Sequence, residues 1–272
     1  MLSVSVCIPV LNEEKNLPGC LESLAGKFDD IILVDSGSTD DTIAIAEKAG
    51  ITILNFEWNG SFPKKRNWAL QNHSFKHDWV LFLDADERIT PEFLTELEAK
   101  LDSDVVGFWL RYDNWFIDRQ LHHGDVMRKL ALFKKDHGEY ERFPEDHWSH
   151  LDMEVHEHPV LDGPTGEILS PLEHHDFRGL ESYIAKHKEY AAWEAKRYQW
   201  LQSDSEAWSS LNKRQQFKYR HLNNWWLGSF YFLISYIFKK GFLDGRVGFR
   251  FAWMKKRYFE DIRRRIRNPE SS

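Results

Sequence analysis

Two aspartates separated by one residue, Asp84 and Asp86, close an apolar run in the stretch WVLFLDADERIT (79–90). Carboxylates placed this way at a strand tip both reach a single hard divalent cation, directly or through water. Oxygen ligands favour Mg2+ or Mn2+ over zinc, and phosphate oxygens commonly fill the positions left open. An Asp-x-Asp pair alone is common on solvated loops; the preceding Val80, Leu81, Phe82 and Leu83 give this one its weight. Paired acids at a strand end also require positive charge close by. Asp35 repeats the arrangement, ending DIILVD (30–35) ahead of Ser36-Gly37-Ser38-Thr39-Asp40-Asp41. Small residues let the backbone approach a ligand, and the carboxylate can accept hydrogen bonds from a base or ribose. Ser38 or Asp40 would cap the next helix as well. A third element is the basic trio Lys64-Lys65-Arg66 followed by Asn67. Such a trio can meet phosphate charge at the start of a helix, although on its own it is usually solvated.

The elements that must position these residues alternate. SVSVCIPV (3–10), DIILVD (30–35), ITILNF (51–56) and WVLFLD (79–84) read as strands, and 13–25, 40–49, 63–72 and 91–101 have helical spacing. Strand and helix in turn predict an α/β fold with a mostly parallel sheet, in which ligands bind beyond the carboxyl ends of the strands. Residues 105–175 lose this regularity, with VVGFWLRY and KLALFKK as further strands, and 181–201, 211–238 and 247–266 are helical. The expected division is a catalytic domain over 1–201, with a nucleotide-binding half (1–104) and an acceptor half (105–201), followed by a helical extension over 202–272.

Composition narrows the class. The 272 residues carry 12 Trp and two cysteines, Cys7 and Cys20, which suits neither a disulfide scaffold nor a zinc site. The first residues lack a basic leader and a cleavage site, so a cytoplasmic protein is expected. Residues 211–272 hold 15 Lys or Arg against 4 Asp or Glu, while the rest of the chain is acidic. Within that basic end, WWLGSFYFLISYIF (225–238) is apolar over about 14 residues, whereas spanning a bilayer takes about 20. A buried core helix is one reading. Aromatics flanked by Lys239, Lys240, Arg246 and Arg250 also suit an anchor lying on an anionic membrane surface.

PVLNEEKNLPGCLESL, VDSGSTDDT, KKRNWAL and FLDADERI, in this order, closely resemble family 2 glycosyltransferases, whose nucleotide-sugar-binding fold is called GT-A. The resemblance covers roughly the first hundred residues. More loosely, VHEHPVLDGPTGEI, LEHHDF and YIAKHKEYAAWEA look like the branch containing lipopolysaccharide-core glucosyltransferases. It implies an inverting transfer from a nucleotide-diphosphate sugar, UDP-sugar favoured, to a glycan or lipid-linked acceptor, with Mn2+ or Mg2+ and without nucleic acid. Pro9 and Glu13 would meet the nucleotide, Asp35 its base, Arg66 and Asn67 its border, and Asp84, Ala85 and Asp86 the metal-bound diphosphate. Glu157 would be the general base; it departs from the family's commoner Glu-Asp pair, since His156 precedes it and His158 follows. Asp152 and Glu154 lie close enough in sequence to compete for that role.

Histidines crowd the middle of the chain, and His174 or His175 is a candidate for a further metal contact. Trp109, Trp115 and Trp148, with His156, are candidates for the acceptor sugar; core packing explains the tryptophans equally well. Two other enzyme classes use acids in this manner. A sugar nucleotidyltransferase normally has an early glycine-rich phosphate loop, which PVLNEEKNL lacks, and a haloacid-dehalogenase phosphatase places its acids after the first strand, not the fourth. A non-catalytic glycan-binding protein is the remaining alternative.

Overall fold

The computed structural model describes residues 1–116, 119–142, 151–154, 157–175 and 179–268. Trp148 and His156 therefore lie outside the described residues. The chain forms two compact units, Met1–Asn114 with Val126–Phe177, and Trp115–Asp125 with Arg178–Ser272. The boundary expected at 201–202 falls inside the second unit.

The first unit begins with β1 (Val4–Val10), α1 (Leu17–Leu24), β2 (Ile31–Asp35), α2 (Thr42–Ala49), β3 (Thr52–Asn55), α3 (Lys65–Asn72) and β4 (Trp79–Phe82). It continues through β5 (Glu87–Arg88), α4 (Pro91–Lys100) and β6 (Gly107–Phe116). The short β7 (Arg119–Gln120) belongs to the second unit, after which β8 (Met127–Lys134), β9 (Gly138–Tyr140), β10 (Pro159–Leu161) and β11 (Thr165–His174) complete the strands. The order across the main sheet is β3-β2-β1-β4-β8-β6-β11-β5. The four strands β3, β2, β1 and β4 are parallel, as their alternation with helices predicts. The sheet as a whole is mixed: β8 runs antiparallel to both β4 and β6, and β5 to β11, while β6 and β11 are parallel to each other and run with the first four strands. Direction in this half is set by long-range pairing, to which no local periodicity corresponds.

Both faces of the sheet are covered, so β1 and β4 are buried along their whole length. With a side-chain period of two, Val4, Val6, Ile8 and Val10 share one face with Leu17, Cys20 and Leu24 of α1 and Phe93 and Leu97 of α4. Cys7, Ile32, Val34, Val80 and Phe82 point the other way, toward Ala69 of α3. Cys7 and Cys20 are free thiols in this core, and burial pushes Cys7 up to about 12.

The second unit is helical: α5 (Gly179–Ser203), α6 (Ser205–Ser210), α7 (Lys213–His221), α8 (Leu227–Leu233) extended by a wider turn over Ile234–Phe238, and α9 (Gly245–Arg267). Ala191, Ala195, Tyr219, Leu222, Leu227, Phe259 and Ile262 form its core. The Glu194 carboxylate is buried there and accepts from Lys218 Nζ (2.7 Å) and the Tyr219 hydroxyl (2.9 Å). The apolar run of 225–238 is two-sided. Leu227 and Ser235 face inward, while Leu233, Ile237 and Phe238 are exposed, Phe238 to 78 %. No described helix is long and apolar enough to cross a membrane.

Candidate active site

The site grows from the carboxyl ends of β1, β2 and β4 in the first unit. The loops after β1 and β2 are laced together: Asn12 N–H donates to Ser38 Oγ (2.9 Å), Thr39 N–H to Asn12 Oδ1 (2.8 Å) and Glu13 N–H to Thr42 Oγ1 (2.8 Å). Pro9 is in β1, and the Glu13 carboxylate accepts from Asn16 Nδ2 (2.7 Å). Asp35 folds its carboxylate back onto its own loop, accepting from Gly37 N–H (2.8 Å), Ser38 N–H (3.0 Å) and the Ser38 hydroxyl (2.5 Å). Gly37 needs its left-handed φ of 90° to make this turn. Ser38 thus serves the loop, whereas Asp40 receives the N–H of Thr42 (3.1 Å), the first residue of α2.

The basic trio is buried, and each of its members has an acid. Lys64 Nζ lies 2.8 Å from Glu157, Lys65 Nζ 2.9 Å from Asp152, and Arg66 Nη2 2.5 Å from Asp84. Lys65 Nζ also donates to the carbonyl of Val10 (2.8 Å), which ties α3 to the end of β1. The first turn of α3 has no capping side chain of its own. Glu154 supplies it from a distance, its two oxygens accepting the N–H groups of Arg66 (2.9 Å) and Asn67 (3.0 Å). Burial raises the Glu154 pKa, opposed by the adjacent Arg66 guanidinium. Both ends of the Asn67 amide pair with the backbone of Tyr140, at 2.9 and 2.8 Å.

The positive charge that the paired acids require comes from two directions. Arg66 takes one oxygen of Asp84, and Lys129 Nζ, from β8, takes the other at 2.6 Å. Lys129 also bonds Glu87, whose second oxygen accepts the N–H of Asp84 (3.0 Å). Ala85 is buried between the acids. Asp86 lies 3.5 Å from His174 Nε2 and accepts the N–H of His175 (2.7 Å) at its carbonyl. The His175 ring is turned away, onto Glu173 (2.9 Å). Among the described residues, Asp86, Glu87 and His174 bring ligand atoms within 4.8 Å of one another. Two carboxylates and an imidazole suit a hard divalent cation such as Mn2+ or Mg2+. Burial lifts Glu87 to about 7 against the pull of Lys129. Burial disfavours a charged His174, but the Asp86 carboxylate outweighs it and the pKa is raised.

Sequence reasoning missed Glu87, Lys129 and the capping role of Glu154. A lysine opening an otherwise apolar strand, and a helix start with no capping residue, were the available signals. The three acids that competed to be the base have different partners: Asp152 holds Lys65 and Ser36, Glu154 holds α3, and Glu157 bonds Lys64, with Glu154 and Glu157 both lining a small pocket beside Trp58, Phe62 and Glu141. Trp109 is half-buried in β6. Trp115 lines a separate cleft of the second unit with Arg119, Gln120, His122 and Asp244.

Residues 5–150 match glycosyl transferase family 2. Over 206 residues the chain is 32 % identical to the lipopolysaccharide core biosynthesis glycosyltransferase LpsC of Rhizobium meliloti, covering 71 % of each. The chain belongs to glycosyl transferase family 2, and its α/β fold with C-terminal helices is of the GT-A type. It is also 37 % identical to an undecaprenyl-phosphate 4-deoxy-4-formamido-L-arabinose transferase of Enterobacter, over 43 % of this chain and 40 % of that one. The chain spans a quarter of a TPR repeat-containing protein of Synechococcus elongatus (42 % identity over 38 % of this chain) and under half of a Rickettsia conorii glycosyltransferase. Among solved structures, it is similar to Mycobacterium tuberculosis glucosyl-3-phosphoglycerate synthase in complex with Mg2+ and uridine diphosphate. That similarity has 26 % identity, covers 41 % of this chain and 43 % of that chain, and gives a TM-score of 0.32.

Proposed function

We propose that this chain is an inverting glycosyltransferase that moves a sugar from a nucleotide-diphosphate donor, UDP-sugar first, to a hydroxyl of a lipopolysaccharide-type or lipid-linked acceptor. The observation that carries the reading is the convergence at one end of the sheet of Asp35, Arg66, Asp84, Asp86 and His174, each held by hydrogen bonds or ion pairs of the first unit. The identity with LpsC supports the acceptor class, and that with the undecaprenyl-phosphate transferase supports a lipid-linked one.

Asp86 and His174, with Glu87 beside them, would hold Mn2+ or Mg2+, which when bound offsets negative charge on the diphosphate. Glu157 takes the proton of the acceptor hydroxyl, which is a poor nucleophile without a base. Lys64, 2.8 Å away, keeps that carboxylate oriented. Arg66 supplies fixed positive charge at the donor end, preorganised by Asp84 and the Glu154 carbonyl.

The reading includes a cytoplasmic location on an anionic membrane surface. Supporting it, Phe242, Tyr236, Phe249, Trp253 and Phe232 touch ring to ring across the second unit, with Phe242, Phe249 and Trp253 exposed. Lys240, Arg246 and Arg250 are exposed in the same segments.

The test is thermal stability with UDP, GDP, CDP and dTDP, each with Mn2+, Mg2+ or EDTA, in wild type and Asp86→Ala. A metal-dependent rise with one nucleotide, lost in the variant, is the expected result. Absence of any shift overturns the reading and favours a non-catalytic glycan-binding role.

A further inference from the structure

Lys129 enters an environment that an ammonium rarely occupies. It stands on β8, reaches Asp84 at 2.6 Å and also bonds Glu87. Its Nζ lies 5.0 Å over the ring of Tyr112, itself buried with no hydrogen-bond partner for its hydroxyl among the described residues. Two carboxylates and a π-face fix the ammonium from three sides. Glu87 in turn is fully buried and shares the candidate cation cluster with Asp86 and His174. Two acids of the strand end, Asp84 and Glu87, are therefore bonded to cations of the chain, Arg66 and Lys129, before any metal arrives.

We propose that Lys129 is a resident counter-ion that keeps this acidic end from collecting a divalent cation by itself, so that metal binds firmly only together with a diphosphate. The inference rests on the transferase reading above, because it takes the same cluster as the metal site. A fixed ammonium bonded to Glu87, which is itself a member of the cluster, repels an incoming divalent cation and occupies an oxygen that the cation would use. A nucleoside diphosphate adds negative charge and oxygen ligands, and tips the balance back toward the metal. Without the ammonium, Asp84 and Glu87 would lose one of the positive charges bonded to them, leaving a greater excess of negative charge for a divalent cation to neutralise. Lys129 is thus a positioning residue that acts through Asp84 and Glu87.

The test is calorimetric titration of Mn2+ into wild type, Lys129→Met, Lys129→Gln and Lys129→Arg, each with and without UDP. Met approximates the side-chain length without charge. Gln keeps a donor for Asp84 and Glu87, and so covers the case in which Met does not fold, as read by cooperative thermal unfolding. Expected is at least about tenfold tighter Mn2+ binding to the neutral variants without UDP than to wild type, with Arg remaining close to wild type. The enhancement of Mn2+ binding by UDP should shrink correspondingly in Met and Gln. Equal or weaker Mn2+ binding in the folded neutral variants overturns the proposal, as does an Arg variant that binds like them. A wild type that binds no Mn2+ even with UDP fails the transferase reading itself. A wild type that binds both while the neutral variants leave Mn2+ affinity unchanged fails only the role of Lys129.

Discussion

Glu157 and Glu154 stand three residues apart and are expected to respond in opposite ways to substitution. Glu157 contacts Lys64 beside the pocket, so Glu157→Gln should cost about 10²–10⁴-fold in sugar transfer, with nucleotide binding retained. A steady-state assay with a calorimetric check on UDP binding reads both. Glu154 binds the first turn of α3 through two backbone N–H groups, and its carbonyl bonds Arg66. Glu154→Ala leaves those two buried N–H donors without their acceptor while keeping the carbonyl that Arg66 uses, and should lower stability by about 3 kcal/mol in urea denaturation. The sequence made the types of residue legible, but not their duties. Three acids of similar character lie within six positions, and only the folded chain decides that Glu154 caps a helix while Asp152 and Glu157 each pair a lysine.

At the scale of elements, the contact between α4 and β11 carries its own pH dependence. Glu96 of α4 accepts from Lys100 Nζ (2.7 Å) and from the N–H groups of Leu169 (3.0 Å) and Ser170 (2.7 Å). Burial works to raise its pKa, but these donors prevail and hold it at about 2. A carboxyl whose folded pKa is depressed adds stability that is complete above the unfolded value and is lost as pH falls through the folded one. Thermal stability should therefore fall between about pH 4.5 and 2 more steeply in wild type than in Glu96→Gln, as melts across that range will read. The first four strands and four helices were visible in the alternation of β-branched runs and helical spacing, since each is built from local periodicity. The places of β5, β8 and β11 were not, because strand order and direction depend on partners tens of residues away.

At the scale of the whole molecule, the charge asymmetry read from composition survives folding only in part. Lys255 is spent on Asp125, while Arg264 and Arg265 bond Asp261. Exposed cations beside the aromatic patch include Lys240, Arg246 and Arg250. Cosedimentation with vesicles should rise with the anionic lipid fraction and fall with salt. Replacing both Phe238 and Trp253 with Ser should weaken it by about tenfold or more, leaving the nucleotide-dependent melting shift intact. Binding indifferent to these changes would remove the membrane from the reading.

The sheet order also sets a schedule for synthesis. The parallel strands β3, β2, β1 and β4 are complete once Phe82 has been made, but β4 finds its second neighbour only in β8, which ends at Lys134. At ribosomal speeds the roughly fifty residues between them take about 3–10 s to appear. Throughout that interval the nascent chain carries an open, wholly apolar strand edge, the feature that most readily recruits another chain. A fragment ending at residue 104 would make that exposure permanent, and should partition into the insoluble fraction on expression or emerge bound to a chaperone.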